Sequence, residues 1–422
     1  MKILKKPEVL APAGTLEKLK TAVIYGADAV FIGGEAYGLR SRAGNFGYEQ
    51  IAEGVQFAHE RGAKVYVAAN MVTHEGDEKG AGEFFQTIRD LGVDAVIVSD
   101  VALMDICATH AKGLPIHLST QASAANYENL NFWKDEGLER VVLAREVSME
   151  EIFEMQKHVD VEIEAFIHGA MCISYSGRCV LSNHMAHRDA NRGGCCQSCR
   201  WKYGLYDSDV NGQANLITKG EQDTDIEPFS MSAVDMSMIH HIPDLVNAGV
   251  DSLKIEGRMK SIHYVSTVCN VYRAAVDSYC QDPEHYELKQ EWIDELWKAA
   301  QRELATGFYY HIPSENEQLF GPRRRIPAYS FVGQVLDYDD TTQIATIQQR
   351  NHFKVGDKIE FYGPGMRHFE QVLEDLWDED NNRIEVAPNA MMICKMKVNY
   401  PVKPMDMIRK EKEVEHATKE HT

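Results

Sequence analysis

Four stretches of the chain repeat one pattern: a glycine, a carboxylate soon after it, then a short apolar run. They are "GADAVFIGG" from Gly26, "GVDAVIVSD" from Gly92, "GLERVVLARE" from Gly137 and "GVDSLKIEGR" from Gly249. Upstream of each the apolar positions take a helical period, as in "TLEKLKTAVIY" and "AGEFFQTIRDL". Glycine is the usual residue just past a helix C-terminus, and a short apolar run after it reads as a buried strand. Helix and strand in alternation predict a parallel sheet. Four further runs, "EVLAPAG" from Glu8, "KVYVAAN" from Lys64, "PIHLSTQ" from Pro115 and "EIEAFIHG" from Glu162, raise the count to eight. Eight is the number of a TIM-like (β/α)8 barrel. A doubly wound open sheet is the alternative, but no glycine-rich phosphate loop follows the first strand.

The strand ends are polar. They carry Asn70, Asp100, Ser119, Gln121, Arg145, Glu146, Glu164, His168, Lys254, Glu256 and Arg258. Barrel enzymes place their chemistry where the loops after the strands converge, so many polar ends together point to a site rather than to helix capping alone. Between the seventh and eighth strands lie about 80 residues, far more than a simple βα connection needs. That insertion is expected to overhang the barrel mouth. Beyond Arg258, "SIHYVSTVCNVYRAAVDSY" and "KQEWIDELWKAAQREL" read as amphipathic helices. From Ser330 the pattern turns to alternating strands and turns, a small antiparallel β-barrel. The predicted partition is a barrel over 1–265 with an insertion at about 169–230, a helical extension and linker over 266–326, a β-barrel over 327–410 and a charged tail over 411–422.

Composition narrows the class. The chain has 422 residues, 44% of them hydrophobic, enough for one large domain and a smaller one. Pro7 and Pro12 interrupt the only apolar run near the start, so no secretory signal is expected. No stretch approaches the roughly 20 apolar residues of a membrane span, and a cytoplasmic protein is expected. The net charge of −20 argues against a general nucleic-acid coat while leaving room for a local basic groove.

In reducing cytosol, clustered cysteines are more often metal-binding or catalytic than disulfide-bonded. Five of the nine fall between Met171 and Lys202. Cys172, Cys179, Cys195 and Cys199 make a four-thiolate candidate, spaced C-x6-C, fifteen residues, then C-x3-C. The spacing is neither a paired zinc knuckle nor a ferredoxin run, and soft thiolates suit iron–sulfur and zinc alike. Cys196 reads as a bystander, because adjacent cysteines in extended backbone point apart. Cys107, Cys269, Cys280 and Cys394 sit in apolar or helical surroundings and read as ordinary thiols. His184 and His187 read as loop residues.

These motifs carry a resemblance. "EAFIHGAMCISYSGRCVLSN" from Glu164, "LRSRAGNF" from Leu39, "STQASAAN" from Ser119, "KIEGRMKS" from Lys254 and "GGCCQSCRW" from Gly193 resemble the collagenase-like peptidase family, peptidase family thirty-two. The likeness spans nearly the whole chain, the small C-terminal barrel included. It implies hydroxylation of RNA or quinones more than proteolysis, and is most like the branch that makes 5-hydroxyuridine at the tRNA wobble position with prephenate as donor. It implies a 4Fe–4S cluster on four cysteines, of which Cys172, Cys179 and Cys195 match by position. Some relatives place the fourth where this chain has Ser237, a poor substitute for a thiolate, which leaves Cys199 as the natural fourth ligand. Zinc is the alternative metal.

Within that reading Glu164, His168, Lys254 and Glu256 are the candidate catalytic residues. Arg40, Arg42, Asn70, Gln121, Arg145 and Arg258 are candidates to bind a small anionic substrate such as prephenate, since guanidinium forks grip carboxylates. Some of these arginines are expected to pair with Glu146, Glu164 or Glu256 instead. Arg200, Trp201 and Lys202, together with Arg323, Arg324 and Arg325, are candidate RNA contacts, an aromatic beside basic groups being a common one. The expected partners are tRNA and that anion, with a paralogous partner chain as an open alternative. Two other functions compete: a peptidase, although no H-E-x-x-H motif is present, and an RNA-binding subunit with a structural metal site.

Overall fold

The computed structural model describes residues 5–38, 44–203, 206–208, 214–216, 230–319 and 328–412. Seven strands open the chain: β1 (Glu8–Pro12), β2 (Ala29–Gly33), β3 (Lys64–Ala69), β4 (Ala95–Val98), β5 (Ile116–Leu118), β6 (Arg140–Val142) and β7 (Glu162–Ala170). A hairpin of β8 (Tyr206–Ser208) and β9 (Ala214–Leu216) follows, then β10 (Asp235–Ser237) and β11 (Ser252–Ile255). Strands β1 to β7 pair in sequence order, all parallel, and β11 pairs in parallel with both β1 and β7. The eight-stranded parallel barrel is closed, as the repeat predicts.

The repeated phrase explains how it closes. Gly26, Gly92, Gly137 and Gly249 adopt φ between 75° and 101°, a region that costs glycine little and lets the chain leave each helix sharply. Three of the carboxylates that follow then pin a neighbouring strand. Asp28, Asp94 and Asp251 accept hydrogen bonds from the backbone N–H of Val9, Val65 and Ile163 at 2.8, 2.7 and 2.8 Å. Each bond satisfies a donor at the entry end of the preceding barrel strand, so side chains help set the register. Along the strands, Leu10, Ala29, Phe31, Tyr66, Ala95 and Ile97 cluster together, while alternate residues such as Val9, Val30 and Val65 join the larger core with the helices. This is the period-2 alternation of a strand buried on both faces.

Past the barrel rim β7 pairs antiparallel with β10, so the cysteine-bearing segment leaves and returns beside one strand. The helix Ile262–Gln281, capped by the Ser261 hydroxyl, packs on β1 and on the first helix, Leu16–Ile24. It completes the helical ring around the barrel rather than starting a separate extension.

The C-terminal unit is a seven-stranded antiparallel sheet, from Tyr329–Asp339 to Met407–Glu411, with its own core around Val335, Ile347, Phe361 and Met396. It docks through apolar and polar contacts: Tyr362 and Met407 join the barrel's core, and hydrogen bonds flank them. The Tyr25 hydroxyl donates to the Met405 carbonyl at 3.0 Å, and the Asn270 amide donates to the Gly363 carbonyl at 3.0 Å. Among the described residues, no helix is long and apolar enough to cross a membrane.

Candidate functional site

The strand ends and the insertion meet around one cavity of about 360 Å³. Asn70, Ser119, Gln121, Arg145, Lys254 and Glu256 reach it from the barrel; Cys172, Ser176, Cys195 and Cys199 reach it from the insertion. The insertion is therefore fastened over the mouth, and Glu146 is one fastener. Its carboxylate accepts from the Ser176 backbone N–H at 2.7 Å and from the Ser176 hydroxyl at 2.5 Å.

Charge is the cavity's main feature. Six cationic side chains line it among the described residues: Arg145, Arg200, Lys254, Arg258, Lys260 and Arg302. Glu256 is the one lining carboxylate among them. Asp235 stands just behind, 2.6 Å from Arg302 and 3.9 Å from Lys260. Burial holds Lys254, Lys260 and Arg200 below their ordinary pKa values, and Arg302 adds to the shift at Arg200. An acidic protein that concentrates cations around a void is built to attract an anion there. Arg258 needs a particular neighbour to enter: a Cβ on Gly33 would overlap its guanidinium. Arg145 lies 3.8 Å from the centroid of the Phe166 ring, a stacking that fixes its plane.

Below the cavity the barrel interior is ionic. Lys254 Nζ is 2.5 Å from Glu164 Oε1. Arg140 joins Glu164 at 3.3 Å to Glu8 and Glu162, each at 2.7 Å. Glu164 is wholly buried and sits beneath the cavity without lining it. His168 does not line it either. Its Nδ1 is 3.2 Å from the Tyr272 hydroxyl, its ring lies against Tyr264 and Tyr272, and burial lowers its pKa to about 4. It belongs to the packing between β7 and the last barrel helix.

The thiols of the insertion have different surroundings. Burial pushes the Cys199 thiol up to about 11, and the nearby sulfurs of Cys172, Cys195 and Cys179 add to the effect. Cys196 instead turns to Ser182, with its sulfur 3.4 Å from the hydroxyl. Ser237 is buried on β10 opposite His168 and lies 3.2 Å from the Tyr272 hydroxyl, outside the cavity lining. Among the described residues, no three His, Cys, Asp or Glu side chains are grouped to hold a single metal ion.

The remaining expected residues separate by place. Arg200 turns inward, lines the cavity and donates to the Met171 carbonyl at 3.2 Å. Trp201 and Lys202 beside it are exposed. Asp100 caps the helix Val101–His110 by accepting from the Ala102 N–H at 3.0 Å. Arg40, Arg42, Arg323, Arg324 and Arg325 lie outside the described residues. Sequence reasoning missed Gln197, Lys260, Gln301 and Arg302 as lining residues. Lys260 sits in the quoted "KIEGRMKS" block and could have been found; Arg302 follows a helix far along the chain and carried no signal.

Comparison with known proteins adds the following. Residues 14–319 match the sequence model described as Peptidase family U32. Residues 327–409 match the Peptidase family U32 C-terminal domain. The chain is 53% identical to a tRNA hydroxylation protein P1 from Bacillus subtilis, covering 97% of this chain and 96% of the relative. It is 36% identical to a 23S rRNA 5-hydroxycytidine synthase from Escherichia coli, over 65% of this chain and 40% of that one. It is 31% identical to a collagenase from Porphyromonas gingivalis, over 95% and 97% of the two chains.

Proposed function

This chain belongs to peptidase family U32, and from that premise we propose that it serves in hydroxylating tRNA at the wobble uridine, with prephenate as donor. The observation that carries the reading is the 53% identity to a tRNA hydroxylation protein along nearly all of both chains. The cavity is consistent with the donor. Prephenate is a dicarboxylate, and the six lining cations suit two carboxylates better than a neutral ligand. The exposed pair Trp201 and Lys202, next to the inward Arg200, offers a stacking face and a charge where RNA would approach.

The cofactor of this reading is a 4Fe–4S cluster on Cys172, Cys179, Cys195 and Cys199, with zinc the alternative. The donor set fits: four thiols near one another, three of them lining the mouth cavity. Such a cluster supplies redox chemistry tuned by its surroundings. The chain's own residues gather the anion and shape the void beside it.

A peptidase working through a serine or cysteine needs a base beside the nucleophile, and no histidine lines the cavity among the described residues. The deciding experiment is nucleoside mass spectrometry on bulk tRNA from a deletion strain that lacks other hydroxylation routes. Loss of 5-hydroxyuridine-derived nucleosides, restored by the wild-type chain and not by Cys179→Ser, is expected. Unchanged nucleosides, with gelatin cleavage by the purified protein, would establish the peptidase instead.

A further inference from the structure

The cavity floor holds a group that anion binding alone does not use. Lys254 lines the cavity, with Nζ 4.7 Å from the Phe31 ring centroid and 5.4 Å from that of Phe166. Its carboxylate partner, Glu164, is on the adjacent strand β7 and wholly buried. An arginine would serve a purely electrostatic role better there, since it binds carboxylates in a fork and resists deprotonation. A lysine amine desolvated between aromatic rings is activated as a nucleophile; burial here outweighs the opposing pull of Glu164, and that carboxylate is in place to take the proton.

We propose that Lys254 forms an imine with a 2-oxo acid bound in the cavity, Glu164 acting as its proton acceptor and donor. Glu164 takes a proton from the Lys254 ammonium, and the neutral amine attacks the ligand's carbonyl carbon. A C–N bond forms and the C=O π pair moves to oxygen, which receives the proton released from nitrogen. Glu164 then returns its proton to that hydroxyl. The C–O bond breaks, water leaves and a protonated imine remains. In sum one ammonium and one carbonyl give one iminium and one water, with no oxidant or reductant consumed. Arg145 and Arg258, which line the same cavity, are placed to orient the acid's carboxylate. Burial, which lowers the Lys254 pKa despite Glu164, favours the neutral amine at the first step.

The inference rests on the carboxylate-binding reading of the cavity given above, and its test separates the two. Purified full-length protein is treated with sodium borohydride in the presence of pyruvate or phenylpyruvate, with succinate as the carboxylate lacking a carbonyl. Ligand protection against thermal unfolding is measured in parallel. The expected result is a reduced adduct on the peptide carrying Lys254 with both oxo acids and none with succinate. It should be absent in Lys254→Arg and form about 100-fold more slowly in Glu164→Gln, the usual scale of general acid–base assistance. Peptide mapping of the wild type locates the adduct even if Lys254→Arg does not fold. Oxo acids that protect the protein yet leave no adduct at Lys254, or label another lysine, overturn the imine and leave the carboxylate site standing. Absence of protection by all three acids, together with absence of adduct, overturns both, whatever the tRNA experiment gives.

Discussion

Two buried clusters of charge, one at the barrel mouth and one under the C-terminal sheet, use the same residue types to opposite ends. Under the sheet, Arg409 is fully buried and reaches Glu295 at 2.6 Å and Glu360 at 2.8 Å. Lys298 closes the ring at 2.7 Å to Glu295 and 3.1 Å to Glu360. Two cations meet two carboxylates. Burial alone would raise the Glu360 carboxyl, yet Arg409 and Lys298 pull it down to about 2. At the mouth six cations surround about 360 Å³ with one lining carboxylate. The first cluster is neutral and joins the sheet to the helix Gln290–Ala299; at the second, Glu164 and Asp235 offset part of the charge from behind, and the cations still outnumber the carboxylates around the void. Charge balance against available space, more than the presence of buried ions, separates a brace from a site.

The largest expected effect breaks the brace. Arg409→Met leaves Glu295 and Glu360 buried with Lys298 alone, and removing one partner of a buried ion pair costs about 3–5 kcal/mol. Urea unfolding followed by fluorescence should show that loss. A change below about 1 kcal/mol would mean that water enters the cluster and the brace is illusory. Removing a mouth cation should act on binding instead. Arg258→Ala should weaken carboxylate binding by at least tenfold, the scale of about 1.5–3 kcal/mol for a charge-assisted hydrogen bond, and reduce tRNA modification while leaving the protein's visible absorption intact. Titration calorimetry with a dicarboxylate checks the first part. A stability loss as large as that of Arg409→Met, with binding unchanged, would erase the contrast.

Acid should loosen both regions by a smaller amount. Burial lowers His168 by the mouth wall to about 4 and His263 under the sheet to about 3. In the unfolded chain each takes a proton near its ordinary value of about 6.5. Between those limits the unfolded state binds more protons than the folded one, so the stability present above pH 6.5 falls as pH falls toward 4 and 3. The expected loss is roughly 1 kcal/mol per histidine by pH 5.5 relative to pH 7. Comparing urea midpoints at the two pH values measures it. His117 in the barrel interior is held well below its ordinary value by burial too, so His263→Gln should remove about a third of the histidine contribution; an unaltered loss would show that other groups govern the acid response.

Much of the barrel was legible because its signals are local. A glycine, a carboxylate and an apolar run recur in sequence, and each carboxylate that pins a neighbour does so one strand back, as Asp28 does for Val9. The insertion was legible by its length and its crowded thiols. What could not be read is orientation across long separations. His168 lies on a barrel strand that supplies the site, yet it faces Tyr272, 104 residues later. Arg200 sits in a basic-aromatic run that suggests an RNA surface, yet it turns into the cavity. Arg302 reaches the mouth after the whole barrel has been completed, and it pairs with Asp235 on β10. The ionic floor of Glu8, Arg140 and Glu164 joins the first strand to the sixth and seventh. Periodicity predicts which face of a strand is inward, but not which charges will meet there.

The smallest expected effect is none at all, and it tests the division among the thiols. Cys196 adjoins Cys195 in sequence, so a looser reading would let either serve as a ligand. The geometry separates them. Cys195 lines the cavity with Cys172 and Cys199, while Cys196 has its sulfur 3.4 Å and its backbone N–H 3.3 Å from the Ser182 hydroxyl. Ser182 is itself buried and lies 3.4 Å from Ser198. The Cys196 side chain is thus committed to packing inside the insertion. Cys196→Ser keeps a small polar group against Ser182, so iron content, visible absorption and tRNA modification should match the wild type. Cys195→Ser, one residue away, should lose iron and modification together, because a hydroxyl does not replace a thiolate toward a soft metal. Equal loss in both variants would return Cys196 to the ligand set and leave Cys199 as the one to question.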